Sequence, residues 1–233
     1  MDKKKKAWIC AIIIAVLLLI DQAVKLWVKT HMQIGEEIPL IGDWCLVHFV
    51  ENEGMAFGMK FGGNVGKLCL SLFRIVASAA LTWFIIRLVK KDSRLLLLIS
   101  LSLILVGAIG NLVDSMFYGL IFNQSYYSVA TLFPPEGGYA GFLYGRVVDM
   151  FYFPLIDTTW PAWVPWVGGE PFRFFTAIFN VADSAITIGV VLLAIDQLFC
   201  DKSKTNDETA NSENAETSSE TDASNAVEQH VDE

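Results

Sequence analysis

The sequence predicts an all-α membrane protein with four transmembrane helices, a small outward-facing β-platform and a disordered acidic C-terminal tail. Hydrophobic residues make up 54% of the 233 residues, charged residues only 18%, and the mean hydropathy is +0.47. Soluble domains contain about 25% charged residues. Four apolar stretches are long enough to cross a bilayer, and the long connections between them contain segments that favour strands. These observations exclude an ordinary soluble domain.

The four apolar stretches define the membrane-embedded part of the chain. A helix needs ~20 apolar residues to cross ~30 Å of hydrocarbon. The first stretch follows the basic residues Lys3–Lys6, as in a signal peptide, but no small-residue cleavage site follows Leu19, so we expect the helix to be retained. We predict a single membrane domain over residues 1–200, with helices over residues 7–28, 68–89, 95–113 and 177–199.

The net charge of −8 belongs to the C-terminal tail. Residues 201–233 contain ten Asp and Glu residues and two Lys residues, which leaves 15 acidic and 15 basic residues before them. The tail has too few apolar residues to fold, so we predict that it is disordered. Because the membrane part is neutral and has no basic patch, we expect no binding to nucleic acid.

The orientation of the helices follows from the distribution of Lys and Arg, because short loops rich in these residues stay in the cytoplasm. Only five basic residues flank the spans on the side with the longer loops. Both termini are therefore predicted to face the cytoplasm. Residues 29–67 and 114–176 are predicted to face outward. The ten basic residues on the predicted cytoplasmic side are Lys3, Lys4, Lys5, Lys6, Arg87, Lys90, Lys91, Arg94, Lys202 and Lys204.

The two outward segments contain predicted strands. Residues 38–50 and 144–153 are rich in Val, Ile, Phe, Tyr and Trp, which favour strands. Between them, Gly and Pro residues mark a turn-rich insertion. We predict two or more short strands that form a small sheet on the outer surface.

Polar residues of three helices fall at one depth. Asp21 and Lys25 are four residues apart, whereas Asn111 and Asp114, like Asn180 and Asp183, are three apart. Residues at these spacings lie on the same face of a helix. With the predicted orientation, all three pairs lie toward the outer membrane boundary, and Asp149 lies in the outer loop. Ionisable residues in a span usually face the bundle interior and mark a functional site.

Five short motifs, in this order, resemble the lipoprotein signal peptidases (signal peptidase II), a family of intramembrane aspartic proteases of bacteria. The resemblance covers the chain from about Asp21 to Ala194 and includes four helices of matching topology. The motifs are Asp21-Gln22-Ala23-Val24-Lys25, Asn52-Glu53-Gly54-Met55-Ala56-Phe57, Gly107-Ala108-Ile109-Gly110-Asn111-Leu112-Val113-Asp114, Gly145-Arg146-Val147-Val148-Asp149 and Phe179-Asn180-Val181-Ala182-Asp183-Ser184.

The resemblance implies that Asp149 and Asp183 form the catalytic pair. Two carboxylates that share a site do not both ionise at ordinary pH, so one is available as the base and the other as the acid. Asp21 and Lys25 match a motif with a structural or supporting role. The residues expected to bind substrate or support the active site are Asn52, Gly54, Asn111, Asp114, Arg146 and Asn180.

The resemblance also implies the substrate, a prolipoprotein whose cysteine already carries diacylglycerol and whose signal peptide is cut off on the amino side of that cysteine. We expect a monomer in the bacterial inner membrane that contacts membrane lipid and has its active site near the outer face. No cofactor or metal is expected, because His31, His48 and His230 have no second ligand at hydrolase spacing.

The main alternative function is a small ion- or proton-coupled membrane transporter, since intramembrane carboxylates also serve as relays. Transporters tend to bind their substrates near the midplane between repeated halves. This chain has no internal repeat, and its carboxylates collect near one surface.

The sequence departs from the family pattern at two places. Ser115 follows Asp114 where the family commonly has Arg, and two interpretations of Arg74 remain open: compensation for that Arg, or a side chain that extends to the outer surface. The segment over residues 120–144 is longer than is usual in the family, and its only expected role is to shape substrate access.

Overall fold

The computed structural model describes residues 1–53 and 63–198. Within these residues, four helices are long and apolar enough to cross a membrane, and a small antiparallel sheet accompanies them. The predicted fold class is therefore confirmed. Gly54 and the predicted tail lie outside the described residues. The helices are α1 (Lys3–His31), α2 (Gly63–Lys90), α3 (Leu95–Val113) and α4 (Val181–Leu198).

The helix ends differ from the predicted ones for local reasons. Helices α1 and α2 extend further because their polar flanks continue the helix beyond the apolar stretch. Helix α3 continues through a π-helical segment, Asp114–Tyr118, and a final turn, Gly119–Ile121. Helix α4 begins four residues later than predicted, because Ile178–Phe179 pairs as a strand. Hydropathy does not distinguish a short apolar strand from the start of an apolar helix.

The platform is a four-stranded antiparallel sheet in the order β1-β2-β3-β6. Its two central strands, β2 and β3, pair along most of their length, and the register shifts between Val47 and Val50. A separate two-stranded sheet is formed by β4 and β5. The strands are β1 (Glu37–Ile41), β2 (Cys45–Asn52), β3 (Val147–Tyr152), β4 (Ile156–Thr159), β5 (Pro171–Phe174) and β6 (Ile178–Phe179).

One hydrophobic core joins the platform to the helix bundle. Every second residue of β2 from Cys45 to Phe49 is buried, as expected for a strand with one face packed against the protein. This face packs against the last turns of α1 and the extension of α3. The fully buried members of the core include Val28, Met32, Phe49, Phe122, Val148 and Met150.

Glycines allow α3 to lie close to the start of α4. A Cβ atom on Gly110 would lie 2.7 Å from Asp21 Oδ2 and 3.0 Å from Ala182 Cβ, and one on Gly107 would overlap the Ala182 carbonyl oxygen. Small residues permit this approach of helix backbones. The glycines therefore bring α1, α3 and α4 together at the end of the bundle that carries the polar residues.

The opposite, lysine-rich end is connected by two ion pairs. Lys6 of α1 pairs with Asp92 in the α2–α3 loop at 2.8 Å, and Arg94 pairs with Asp196 of α4 at 2.8 Å. The Asp92 side chain is half exposed and that of Asp196 is buried. These contacts connect the start of α1 and the end of α4 to the turn between α2 and α3.

The insertion over residues 120–144 folds back onto the platform and the α3 extension. Backbone hydrogen bonds join Tyr139 to Phe122, Ala140 to Gly119 and Phe133 to Ile121. Ser125 accepts a backbone hydrogen bond from Ile34, which follows α1. The insertion is thus an ordered part of the surface around the end of α1.

Candidate active site

Asp149 lies in β3 on the face opposite the core. Val148 and Met150 on either side of it are fully buried core residues, and successive strand residues point to opposite faces. The Asp149 carboxylate accepts hydrogen bonds from Asn180 Nδ2 at 2.6 Å and from Asn52 Nδ2 at 3.2 Å. Because Asn52 ends β2, beside β3, the sheet itself sets one of these contacts.

Asp183 lies in the first turn of α4, where it forms a reciprocal cap with Asn180. Asn180 Oδ1 accepts a hydrogen bond from the Asp183 backbone N–H at 2.9 Å, and Asp183 Oδ2 accepts one from the Asn180 N–H at 3.4 Å. This arrangement is a capping box. A negative charge at a helix N-terminus is also favoured by the helix dipole. The start of α4 therefore fixes the Asp183 carboxylate.

Two amide side chains connect the Asp149 and Asp183 carboxylates. Besides contacting Asp149, Asn180 Nδ2 donates to Asn111 Oδ1 at 3.1 Å, and Asn111 Nδ2 donates to Asp183 Oδ1 at 2.9 Å. Lys25 Nζ also donates to Asn111 Oδ1, at 2.9 Å. With two donors on its oxygen, the Asn111 amide has one orientation that satisfies every partner. Side chains from β3, α3 and α4 thus form one network.

The surroundings of Asp149 favour its protonated form. Burial, together with the negative charge of Asp183, raises the pKa of Asp149 to about 7. Hydrogen bonds from Asn52 and Asn180 and the charge of Lys25 act in the opposite direction. A carboxyl group with a pKa near neutrality suits acid–base chemistry at ordinary pH.

Asp21, Lys25 and Asp114 form a buried ionic cluster beside this network. Lys25 Nζ lies 3.0 Å from Asp21 Oδ2 and 2.8 Å from Asp114 Oδ2, and all three side chains are fully buried. Asp114 also accepts hydrogen bonds from Gln22 Nε2 at 3.0 Å and the Val148 backbone N–H at 3.3 Å. Lys25, Gln22 and β3 therefore hold Asp114 in place.

Asp21 connects the ionic cluster to the start of α4. Asp21 Oδ1 accepts a hydrogen bond from the Ala182 backbone N–H at 2.9 Å. This N–H belongs to the first turn of α4, where backbone donors lack helical partners. Asp21 thus satisfies one such donor next to the Asn180–Asp183 cap.

Arg74 of α2 extends to the site and not to the outer surface. Its Nη1 donates to Ser115 Oγ at 3.3 Å. Its charge interacts with the carboxylates of Asp183, Asp114 and Asp149. The guanidinium therefore lies beside Ser115, at the edge of the carboxylate network.

Arg146 lies in a second polar cluster, next to the network of Asp149. Its Nη1 donates to Glu51 Oε2 at 3.0 Å, and its guanidinium lies over the Tyr126 and Tyr139 rings. Glu51 also pairs with the fully buried Lys29, which donates to Ser125 Oγ at 2.8 Å. This cluster joins α1, β2 and the insertion.

Sequence reasoning missed two polar residues of α1 that hold these clusters. Gln22 donates to Asp114 and accepts a hydrogen bond from the Tyr118 hydroxyl at 3.3 Å. Lys29 has the signal that could have identified it, because it follows Asp21 and Lys25 at four-residue intervals on the same helix face. A Lys at the end of a span instead suggests a side chain that reaches solvent.

Within the described residues, 1–53 and 63–198, His, Cys, Asp and Glu side chains form no group of three that could hold a metal ion. Cys10, Cys45 and Cys69 are free thiols.

The spans and the polar network together define a class, that of multi-pass membrane proteins with a functional polar site at one end of the helix bundle. The family described as "Signal peptidase (SPase) II" matches residues 13–199. The chain belongs to this family, as the motifs predicted, and it is therefore a peptidase of bacterial membranes.

Individual relatives and solved structures agree with this assignment. A protein named "Lipoprotein signal peptidase" from Porphyromonas gingivalis is 50% identical over 188 residues, which are 80% of this chain and 81% of that protein. One of the same name from Amoebophilus asiaticus is 39% identical over 196 residues, 83% of this chain and 79% of that protein. A solved structure described as a bacterial membrane enzyme has a TM-score of 0.59 at 23% identity, covers 84% of this chain and 90% of its own, and so has the same fold.

Proposed function

We propose that this protein is an aspartic endopeptidase that removes the signal peptide from diacylglyceryl-modified prolipoproteins, cutting on the amino side of the lipidated cysteine. The observation that carries the proposal is that Asp149 and Asp183 both bind Asn180, so two carboxyl groups from different elements meet in one hydrogen-bonded network. Membership of the signal peptidase II family supports the substrate. The proposed enzyme acts as a monomer without a cofactor.

The proposed reaction uses one proton shared by the two carboxyl groups. The ionised member takes a proton from water as the oxygen attacks the scissile carbonyl, and the protonated member donates its proton to the carbonyl oxygen. As the tetrahedral intermediate collapses and the C–N bond breaks, the carboxyl group that took the proton from water passes it to the leaving nitrogen. The other carboxylate takes a hydroxyl proton from the intermediate, so the pair again holds one proton. The apparent pKa values belong to the pair and not to either residue.

The proposed supporting roles follow from the contacts. Asn52, Asn111 and Asn180 hold the two carboxylates, while Asp21, Lys25 and Asp114 support the elements that carry them. We assign Arg146 a structural role, because it pairs with Glu51. The proposed role of Gly54 in substrate binding or active-site support rests on the family motif. The outward-facing site and the cytoplasmic termini rest on the distribution of basic residues.

The decisive experiment compares two substrates with the purified enzyme in proteoliposomes. One is a prolipoprotein peptide with a diacylglyceryl cysteine, and the other is the same peptide without lipid. We expect cleavage of the lipidated peptide alone, with the new amino terminus at the cysteine by mass spectrometry. A protein that cuts neither peptide but moves ions across the membrane would instead be a transporter.

The raised pKa of Asp149 predicts the pH dependence of cleavage. A pair with one proton loses it as the pH rises through the higher apparent pKa, about 7. We therefore expect kcat/KM to fall by about tenfold for each pH unit above that value. Rates measured between pH 5 and pH 9, a range of about two units on either side of neutrality, test this. A flat profile would contradict the assignment.

A variant of Asn52 should shift the same profile. Asn52 donates to Asp149 Oδ2, which stabilises the ionised form. In Asn52→Ala the carboxyl group loses this donor, so the decline should move to higher pH by about one unit. Asn123→Ala, a change in the insertion whose side chain caps the Thr131 N–H, is the control and should leave the profile in place. A profile unchanged in Asn52→Ala would exclude this contact from the titration.

Arg74 is predicted to contribute to the rate by placing a positive charge beside Asp183. We expect Arg74→Gln to lower kcat by about tenfold, equivalent to ~1.4 kcal/mol of barrier. Because Ser115 Oγ lies 3.3 Å from the guanidinium, adding Ser115→Arg should return a charge to the same place and recover most of the rate.

The control for Arg74 lies on the same helix. Arg87 of α2 stacks on Trp83, 4.3 Å from the ring centre, away from the carboxylates. Arg87→Gln should retain full activity. If Arg74→Gln is as active as Arg87→Gln, the proposed role of Arg74 is wrong.

A further inference from the structure

An aromatic hairpin, residues 155–175, extends from the platform between the strand of Asp149 and the helix of Asp183. Within the described residues, its strands β4 and β5 form a separate two-stranded sheet, from Ile156 opposite Phe174 to Thr159 opposite Pro171. The hairpin therefore lies outside the four-stranded sheet. The contacts given above for the carboxylate network come from other parts of the described chain, so they do not explain the role of the hairpin.

The tip of the aromatic hairpin presents tryptophans to the surroundings. Trp163 is 81% exposed and Trp166 is 97% exposed. Residues 160–169 include three Trp and two Pro and no charged residue. An aromatic side chain removes about 150–250 Å² of its surface from water when it becomes buried. Two such side chains held in water are unfavourable, which indicates that the tip has a partner.

The tip forms several backbone hydrogen bonds of its own. Trp160 and Glu170 close it with an N–H···O bond of 2.9 Å, and the Gly169 N–H donates to the Trp160 carbonyl at 2.9 Å. Inside the turn, the Val164 N–H bonds to Pro161 and the Gly168 N–H bonds to Val164. These bonds reduce the number of backbone groups that need water, which suits a turn at the boundary between lipid and water.

Glycine makes this closed turn possible. A Cβ atom on Gly168 would lie 2.7 Å from the Ala162 carbonyl oxygen and 2.9 Å from that of Val164. The turn is therefore compact, and its shape is set by local packing. It presents the tryptophans on a preformed surface.

The base of the aromatic hairpin joins a membrane-spanning helix. After β5 the chain passes through β6, and α4 begins at Val181. Exposed apolar residues of the hairpin, Phe174 and Phe175, lie shortly before β6, and Phe175 contacts Phe179 of β6 with ring centres 6.3 Å apart. The apolar surface of the hairpin is thus continuous with the end of a span, where lipid headgroups meet the hydrocarbon.

We infer that the aromatic hairpin docks on the lipid bilayer, with Trp163 and Trp166 in the boundary between headgroups and acyl chains at the active-site end of the bundle. Tryptophan is enriched at this depth because its ring has an apolar body and a polar N–H. The partner is the lipid surface and not another protein. The hairpin thereby holds the β3–α4 connection, and with it both carboxylates, at a constant height above the hydrocarbon.

Fluorescence quenching in vesicles tests this docking. The full-length protein and a Trp163→Phe/Trp166→Phe variant are reconstituted into phosphatidylcholine vesicles that carry bromine near the headgroup end or near the methyl end of the acyl chains. The difference between the fluorescence emission of the full-length protein and that of the variant comes from Trp163 and Trp166. We expect bromine near the headgroup to quench this difference about twofold more than bromine near the methyl end, and aqueous iodide to quench it weakly.

The control is Trp83→Phe, since Trp83 is exposed on a spanning helix and its emission must be quenched by brominated lipid. Strong quenching of the hairpin signal by iodide, with none by brominated lipid, would overturn the inference and indicate a tip in water or against a protein. The measurement needs no catalysis. The Asp149→Asn protein should give the same result, so this test is independent of the proposed activity.

Discussion

Replacing either Asp149 or Asp183 with Asn is expected to abolish cleavage of the lipidated peptide, with a loss on the order of 10³-fold or more, because the shared proton is lost. Asn has nearly the same shape as Asp but does not exchange a proton at ordinary pH. The residues act as one unit, so the double variant should be no less active than either single variant. The rate of peptide cleavage in proteoliposomes measures the effect.

Folding of these variants must be checked, because both oxygens of each carboxylate accept hydrogen bonds. Asp149 accepts from Asn180 and Asn52, and Asp183 accepts from Asn111 and the Asn180 N–H. An Asn amide turns one acceptor into a donor, so one bond in each variant is lost, at a cost of about 1–3 kcal/mol. Thermal unfolding should show this modest loss.

The matched control is Asp43→Asn, the same chemical change in the exposed β1–β2 turn. This variant should keep its full rate and its unfolding temperature. Full activity of either Asp149→Asn or Asp183→Asn would refute the proposed catalytic pair.

Replacing Lys25 with Met is expected to destabilise the protein strongly. The substitution leaves the Asp21 and Asp114 carboxylates buried without their cation. Removal of one partner from a buried ion pair costs about 3–5 kcal/mol. It also removes one donor from Asn111 Oδ1, which lies within the network of Asp183. We expect low yields of folded protein and a lowered unfolding temperature in detergent.

A second substitution separates charge from packing at this position. The Lys25→Met/Asp114→Asn variant buries one fewer unpaired charge, so it should unfold at a higher temperature than Lys25→Met. Lys91→Met, in the exposed α2–α3 turn, is the control and should unfold like the original protein. An unchanged unfolding temperature in Lys25→Met would mean that the buried cluster contributes nothing to stability.

The fold class was predictable because hydropathy and strand-forming residues are local signals. The same signals did not find the start of α4, since residues 177–180 are apolar enough for a helix and only pairing with β3 makes Ile178–Phe179 a strand. The consequence for the site is large. Because α4 begins at Val181, Asn180 caps this helix, whereas the sequence alone placed Asn180 one turn inside a helix.

The polar pairs at helix spacing were predictable, but their partners were not. Spacing puts Asn111 and Asp114 on one face of α3, yet Asn111 contacts Asp183 while Asp114 contacts Lys25. Which residue a buried polar side chain contacts depends on how the helices pack. For the same reason, the path of residues 120–144 and their contacts with the end of α1 could not be read from the chain.

Asn180 has two structural roles, because it caps the start of α4 and also forms hydrogen bonds with both Asp149 and Asp183. Fraying of that first helical turn would therefore separate the two carboxyl groups, with or without bound substrate. A small molecule that traps the frayed turn would therefore inhibit cleavage without contacting either carboxyl group.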